Sequence, residues 1–117
     1  MPYKPTVCFD FDGVIHMYTS PWTVATEIRD EPVPGIKEEI DRIRAAGYKV
    51  VTNSARCETP EGQAAVASWL KDHNIVVDAV TATKPAAIVY IDDRALRFTG
   101  DPSDLLEQIQ AFKPWNR

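Results

Sequence analysis

Residues Val7-Cys8-Phe9-Asp10-Phe11-Asp12-Gly13-Val14-Ile15 constrain the chain more than any other stretch. An apolar run rich in strand-favouring side chains closes on two carboxylates spaced i, i+2, and then on a glycine. A short apolar run bounded by a turn residue reads as a strand. On a strand, i and i+2 share one face, so Asp10 and Asp12 stand together where the chain leaves the sheet. Two carboxylates this close repel each other, and burial worsens the repulsion. A folded chain keeps such a pair where a cation or a reaction uses it. The pattern predicts a hard metal ion, together with acid–base or nucleophilic chemistry.

The rest of the sequence alternates strand and helix signals. The first strand covers about Thr6 to Phe11. A loop from Gly13 to Pro34 follows, carrying His16, Tyr18, Pro21, Trp22 and Pro32; it has room for a small hairpin but no clean alternation. A helix starts near Pro34, with Ile36, Ile40 and Ile43 on one face and Gly47 as its stop. Tyr48 to Thr52 is the second strand. Thr59-Pro60-Glu61 is a helix start, a capping hydroxyl followed by proline and an acid, and Ala65, Val66, Trp69 and Leu70 form that helix's inner face. Ile75 to Thr81 is a third strand. Ala87 to Ile91 is a fourth, apolar throughout and therefore expected at the centre of the sheet. Arg97 to Thr99 reads as a short edge strand, and Asp101-Pro102 opens a last helix whose apolar face is Leu105, Leu106, Ile109 and Phe112. This order predicts one α/β domain over residues 1–117. Its expected form is a three-layer α/β/α, Rossmann-like arrangement around a mostly parallel sheet.

Composition narrows the function classes. The 117 residues suit a single core, and 44% hydrophobic with 26% charged residues is ordinary for a globular domain. A net charge of −4 argues against a generic nucleic-acid coat. No apolar run is long enough to span a bilayer, and the first residues lack the apolar core of a signal peptide, so a cytoplasmic location is the default expectation. Two cysteines, Cys8 and Cys57, are too few for a disulfide framework, and Cys8 is expected in the core.

The polar candidates gather at strand ends. Asp10 and Asp12 end the first strand, Ser54 and Arg56 follow the second, and Asp92 and Asp93 end the fourth. In an open parallel sheet these ends share one edge, where ligands bind. Lys84 lies, by counting, at the opposite end of its strand and has to reach the site from the preceding loop. Such residue types suit phosphoryl transfer. Carboxylates and a carbonyl match Mg²⁺, one carboxylate can attack phosphorus and another can move the proton, and hydroxyl, ammonium and guanidinium groups can hold phosphoryl oxygens.

With these motifs in hand, the chain resembles a haloacid-dehalogenase (HAD) superfamily phosphatase. Asp10-Phe11-Asp12-Gly13 matches that family's first motif, Ser54 its second, Lys84 its third, and Asp92-Asp93 after Val89-Tyr90-Ile91 its fourth. The resemblance implies Asp10 as nucleophile and metal ligand. It implies Asp12 as general acid/base, with its main-chain carbonyl on Mg²⁺. Ser54 and Lys84 would steady the phosphoryl group, Asp92 would bind the metal, and Asp93 would support it. Asn53-Ser54-Ala55-Arg56 resembles a Ser-x-Arg variant in which Arg56 binds phosphate. Val14 departs from the Thr common at its place. Thr52 is a rival for the second motif, with Ser54 preferred because Arg56 then falls in register.

Neither interval that usually carries a cap domain is long enough here, so the chain is similar to capless members, with an open site. The expected activity is Mg²⁺-dependent phosphomonoester hydrolysis through an aspartyl-phosphate. The alternatives are a nucleic-acid end-processing phosphatase and a weakly active phosphate-binding regulatory module. The expected partner is a phosphorylated substrate such as a nucleotide, a nucleic-acid end or another large phosphoester, with no membrane and with a homo-oligomer as an option. His16 and Trp22 follow the site loop within reach of substrate, and Trp22 equally suits packing the loop onto the body. Arg94 is expected to pair structurally with Asp93 or a neighbour.

Overall fold

A computed structural model describes residues 3 to 116. Its core is a four-stranded sheet built from β1 (Thr6–Asp10), β2 (Lys49–Asn53), β3 (Ala79–Thr81) and β4 (Val89–Ile91). Every pairing is parallel, and the spatial order is β3-β2-β1-β4. Helices α1 (Ile36–Ala45) and α2 (Pro60–Asp72) flank it, giving the expected three-layer α/β/α domain, and a short helix α3 (Leu105–Ala111) with no buried residue follows. No helix among the described residues is long and apolar enough to cross a membrane.

Local chemistry explains the elements. Helix α1 begins two residues later than Pro34, after Gly35 in the left-handed region, and ends at Ala45, with Ala46 as its cap and Gly47 left-handed beyond it. Ile40 is its fully buried residue. At the start of α2 the Thr59 hydroxyl accepts the Gly62 N–H at 3.1 Å and Pro60 takes the first turn. Val66, Trp69 and Leu70 point inward, and Phe11 meets the Trp69 ring edge-on at 5.2 Å. Together with Val7, Phe9, Phe11, Ile15, Val50 and Ile75 they form one contiguous core. Cys8 is buried as expected, and so is Cys57.

Four expectations fail at the edges of the sheet and in the segment after it. The fourth strand is an edge rather than the centre, and Val89 and Tyr90 are exposed. Residues 97–99 form no strand. The third strand keeps only the end of its predicted span. Helix α3 starts after Asp104 and leaves Leu106, Ile109 and Phe112 exposed. The edge position and exposure of β4 have a local cause. An apolar run reports that a strand suits a covered face, not how many neighbours it has. Here β3 and β4 are joined by residues 82–88 with no intervening helix, so the layer that would cover β4 is missing.

The loop of residues 13–34 holds no strand or helix. Its base is closed by a single antiparallel bridge between His16 and Pro32 rather than by a hairpin. The Met17 N–H donates to the Glu31 carbonyl at 3.0 Å and the Val33 N–H to the Ile15 carbonyl at 2.8 Å. This flap lies over the carboxyl ends of the strands through the contacts described next.

Candidate metal and phosphate site

The strand order reverses at β1. From β1 the chain first steps to β2 and β3 on one side, and β4 later joins on the other. The crevice outside the carboxyl ends at such a switch point is where open α/β sheets bind ligands. Asp10 ends β1, and Asp92 and Asp93 directly follow β4. Phe9 pairs with Ile91, so register brings the three acids together. One oxygen from each lies within 4.8 Å of the others.

The cluster is short of positive charge. Asp10 is pushed up to about 8, chiefly by burial, then by a proton shared with Asp93 and by the charges of Asp92 and Asp93, against the Phe11 N–H, which pulls it down. The Asp93 Oδ1 is buried and has no hydrogen-bond partner among the described residues. A buried carboxylate oxygen without a partner is costly, and a cation would satisfy it. Asp92 is exposed, and its Oδ1 accepts the Arg94 N–H at 2.8 Å. The arrangement can hold a divalent cation on oxygen ligands. Gly13 makes it possible. A Cβ there would stand 2.1 Å from Asp93 Oδ2, so only glycine lets the first loop lie against that carboxylate.

Asp12 does not belong to this cluster. Its carboxylate turns away to His16 and Arg56. His16 Nδ1 lies 2.8 Å from Asp12 Oδ1, and His16 Nε2 accepts the Asp30 N–H at 3.0 Å. With Nε2 accepting, the pattern assigns the ring proton to Nδ1, which donates to Asp12. Arg56 Nε reaches Asp12 Oδ1 and Oδ2 at 3.1 and 2.9 Å. Burial pushes the Asp12 carboxyl up, but the hydrogen bonds from His16 and Arg56 and the Arg56 charge outweigh it and hold it below the usual carboxylate range. Its main-chain carbonyl accepts no hydrogen bond from the described residues.

Arg56 also pins the flap. Its Nη1 donates to the carbonyls of Val24, Ala25 and Glu27 at 3.3, 2.9 and 2.9 Å, and Trp22 covers the guanidinium at 4.4 Å. Only 2% of Arg56 is exposed. Nε and Nη1 of the expected phosphate ligand are thus spent on Asp12 and the flap. His16, expected within reach of substrate, is buried instead, stacked on Phe11 and against Trp69.

Ser54 and Thr52 are told apart by their partners. Thr52 Oγ1 donates to the Phe9 carbonyl at 2.9 Å, inside the sheet. Ser54 stands just past β2, where its Oγ accepts the Arg56 N–H at 3.1 Å and caps the short 3-10 turn Ala55–Glu58. The Ser54 hydroxyl donates its proton to no described residue. Lys84 follows β3 by three residues, which puts it beyond a carboxyl end and removes the reach required of it by counting along β4. Its ammonium lies 4.1 Å from the Tyr90 ring centre, and its charge is felt at Cys8 beside those of Asp10 and Asp92.

Two contacts had no signal in the sequence. Trp115 Nε1–H donates to the Gly13 carbonyl at 2.7 Å, and Asn116 Nδ2 donates to the Met17 carbonyl at 2.7 Å. The segment after α3 therefore returns to the first site loop. The Asp12–His16–Asp30 chain was equally hidden, because nothing in spacing tells a buried loop histidine from an exposed one. The sequence matches no protein-family model, and no curated protein matches it.

Proposed function

We propose that the protein is a Mg²⁺-dependent phosphomonoesterase of the haloacid-dehalogenase type, with an open site and an aspartyl-phosphate intermediate. One observation carries the reading: Asp10, Asp92 and Asp93 converge at the switch point, with a buried Asp93 oxygen left unpaired. All the available donors are oxygens, which suits a hard cation. Asp10, Asp92 and the Asp12 carbonyl are the groups that would hold Mg²⁺, with Asp93 beside them; the bound ion would neutralise phosphoryl charge and lower the Asp10 carboxyl to its reactive anion.

The residues divide the work as follows. The Asp10 carboxylate attacks phosphorus as the bond to the leaving oxygen breaks. Asp12 hands that oxygen a proton, and later takes one from the water that attacks the aspartyl-phosphate and releases inorganic phosphate and free Asp10. His16 and Arg56 each donate an N–H to Asp12 and hold it as the carboxylate, the form that takes the proton from water; Asp12 then carries that proton into the next leaving-group step. The Ser54 hydroxyl and the Lys84 ammonium hold the transferred phosphoryl oxygens. Arg56, turned inward, serves the flap and Asp12 rather than the phosphate.

The test is a screen of nucleotides, sugar phosphates, phosphopeptides and phosphorylated DNA ends with Mg²⁺. Turnover that disappears with EDTA and in Asp10→Asn is expected. A folded preparation that binds Mg²⁺ yet cleaves nothing in the screen would refute the reading.

A further inference from the structure

We propose that Trp115 is a stacking platform for a flat aromatic ring carried by the leaving group, which makes ring-bearing phosphomonoesters the preferred substrate class. The inference rests on the phosphatase reading above. Its starting point is an anomaly: Trp115 is held in place at one edge yet remains 57% exposed. The tether is the 2.7 Å hydrogen bond from Nε1–H to the Gly13 carbonyl. Asn116, the next residue, fixes the same segment by donating to the Met17 and Tyr18 carbonyls at 2.7 and 3.3 Å. An indole oriented by its nitrogen and more than half in solvent is available to stack.

Its position matters as much as its exposure. Gly13 directly follows Asp12, the residue assigned to the leaving oxygen, and packs against Asp93 of the acid cluster. Trp115 therefore borders the loop that carries Asp12 and lies against Asp93, on the rim of the site. Trp22 supports the contrast. Its indole already covers the Arg56 guanidinium at 4.4 Å, so that ring is occupied in holding the flap. The flap contains no helix or strand that would lower a lid over a bound substrate. A platform on the rim is then a direct way for the chain to hold a leaving group. Base–aromatic stacking typically changes affinity by roughly tenfold and tolerates different rings.

The experiment compares wild type, Trp115→Leu and Trp115→Phe on a nucleoside 5′-monophosphate, 4-nitrophenyl phosphate and glycerol phosphate, all with Mg²⁺. The readout is the kcat/KM of each ring-bearing substrate divided by that of glycerol phosphate. Trp115→Leu is expected to lower this ratio roughly tenfold through KM. Trp115→Phe, which loses the Gly13 hydrogen bond but keeps a ring, is expected to retain most of it. The two ring-bearing arms show whether the ring is a nucleobase or an aryl ester. Equal losses on all three substrates in Trp115→Leu would overturn the proposal and leave Trp115 as a tether only. If wild type hydrolyses none of them, the phosphatase reading has failed, and the ring site is judged separately. An added nucleoside should then quench indole fluorescence in Trp22→Phe and not in Trp22→Phe/Trp115→Leu, and quenching independent of Trp115 would overturn it.

Discussion

Replacing Gly13 by alanine should dismantle the metal cluster while sparing the fold. Gly13 has φ +89°, a left-handed conformation that costs an L-residue about 1–2 kcal/mol. Its added Cβ would lie 2.1 Å from Asp93 Oδ2 and 2.6 Å from Asp93 Cγ, whereas ordinary contact begins at 3.4 Å. The Asp93 carboxylate must retreat by about 1.3 Å. Metal ligands tolerate displacements of roughly 0.2 Å, so a shift of this size removes Asp93 from the cluster. Gly35 is the matched control, with φ +85° and nothing within 4 Å of its built Cβ. Gly35→Ala should carry the backbone term alone. Thermal unfolding should show both variants losing about 1–2 kcal/mol. Calorimetric titration with Mg²⁺, or with Mn²⁺ as a stand-in, should show affinity lower by about 10–100-fold in Gly13→Ala and unchanged in Gly35→Ala. A folded Gly13→Ala protein with wild-type cation affinity, or an equal loss of cation affinity in both variants, would refute the steric argument.

Three further predictions test the site and its supports. In the metal-free protein Asp10 titrates near 8, above the unfolded value of about 3.9, so between those values the folded state binds more protons and stability falls as pH rises. Asp10→Asn should flatten that slope of Tm against pH in EDTA, and an unaltered slope would place the titrating group elsewhere. Arg56→Lys should cost about 2–4 kcal/mol by urea unfolding, because one ammonium cannot serve both Asp12 and the Val24, Ala25 and Glu27 carbonyls; a loss below about 0.5 kcal/mol would show that the clamp is dispensable. Gly62→Ala in α2 should destabilise, although alanine is the better helix former by about 1 kcal/mol, because its Cβ would stand 1.7 Å from the Arg56 carbonyl; a raised Tm would contradict that contact.

The strand–helix order, the parallel sheet and the place of Asp10 and Asp92 were legible because they depend on local pattern. Apolar runs, the Thr59 cap and Gly47 act within a few residues, and parallel strands then bring their carboxyl ends to one edge. The same locality explains the failures. Asp10 and Asp12 share a face on an ideal strand, and that spacing suggested one acid pair. In the structure β1 ends at Asp10, and Arg56 and His16 draw Asp12 into a separate buried network. A partner 44 residues away, Arg56, cannot be read from a spacing of two. The fourth strand was placed centrally for its apolar character, yet its position depends on which neighbours the chain supplies.

The sequence by itself determined the α/β class, the caps and stops of the helices, and the presence of carboxylates at two strand ends, because each rests on periodicity or on a backbone preference. Tertiary structure alone decided how the acids divide. Asp93 joins Asp10 and Asp92 only because Gly13 lets the loop come close. Asp12 passes to His16 and Arg56 because the flap folds over it, and Trp115 returns across the whole chain to the Gly13 carbonyl. Those pairings are set by close packing and by the need of buried polar groups for partners, and both act between segments that are distant in the sequence.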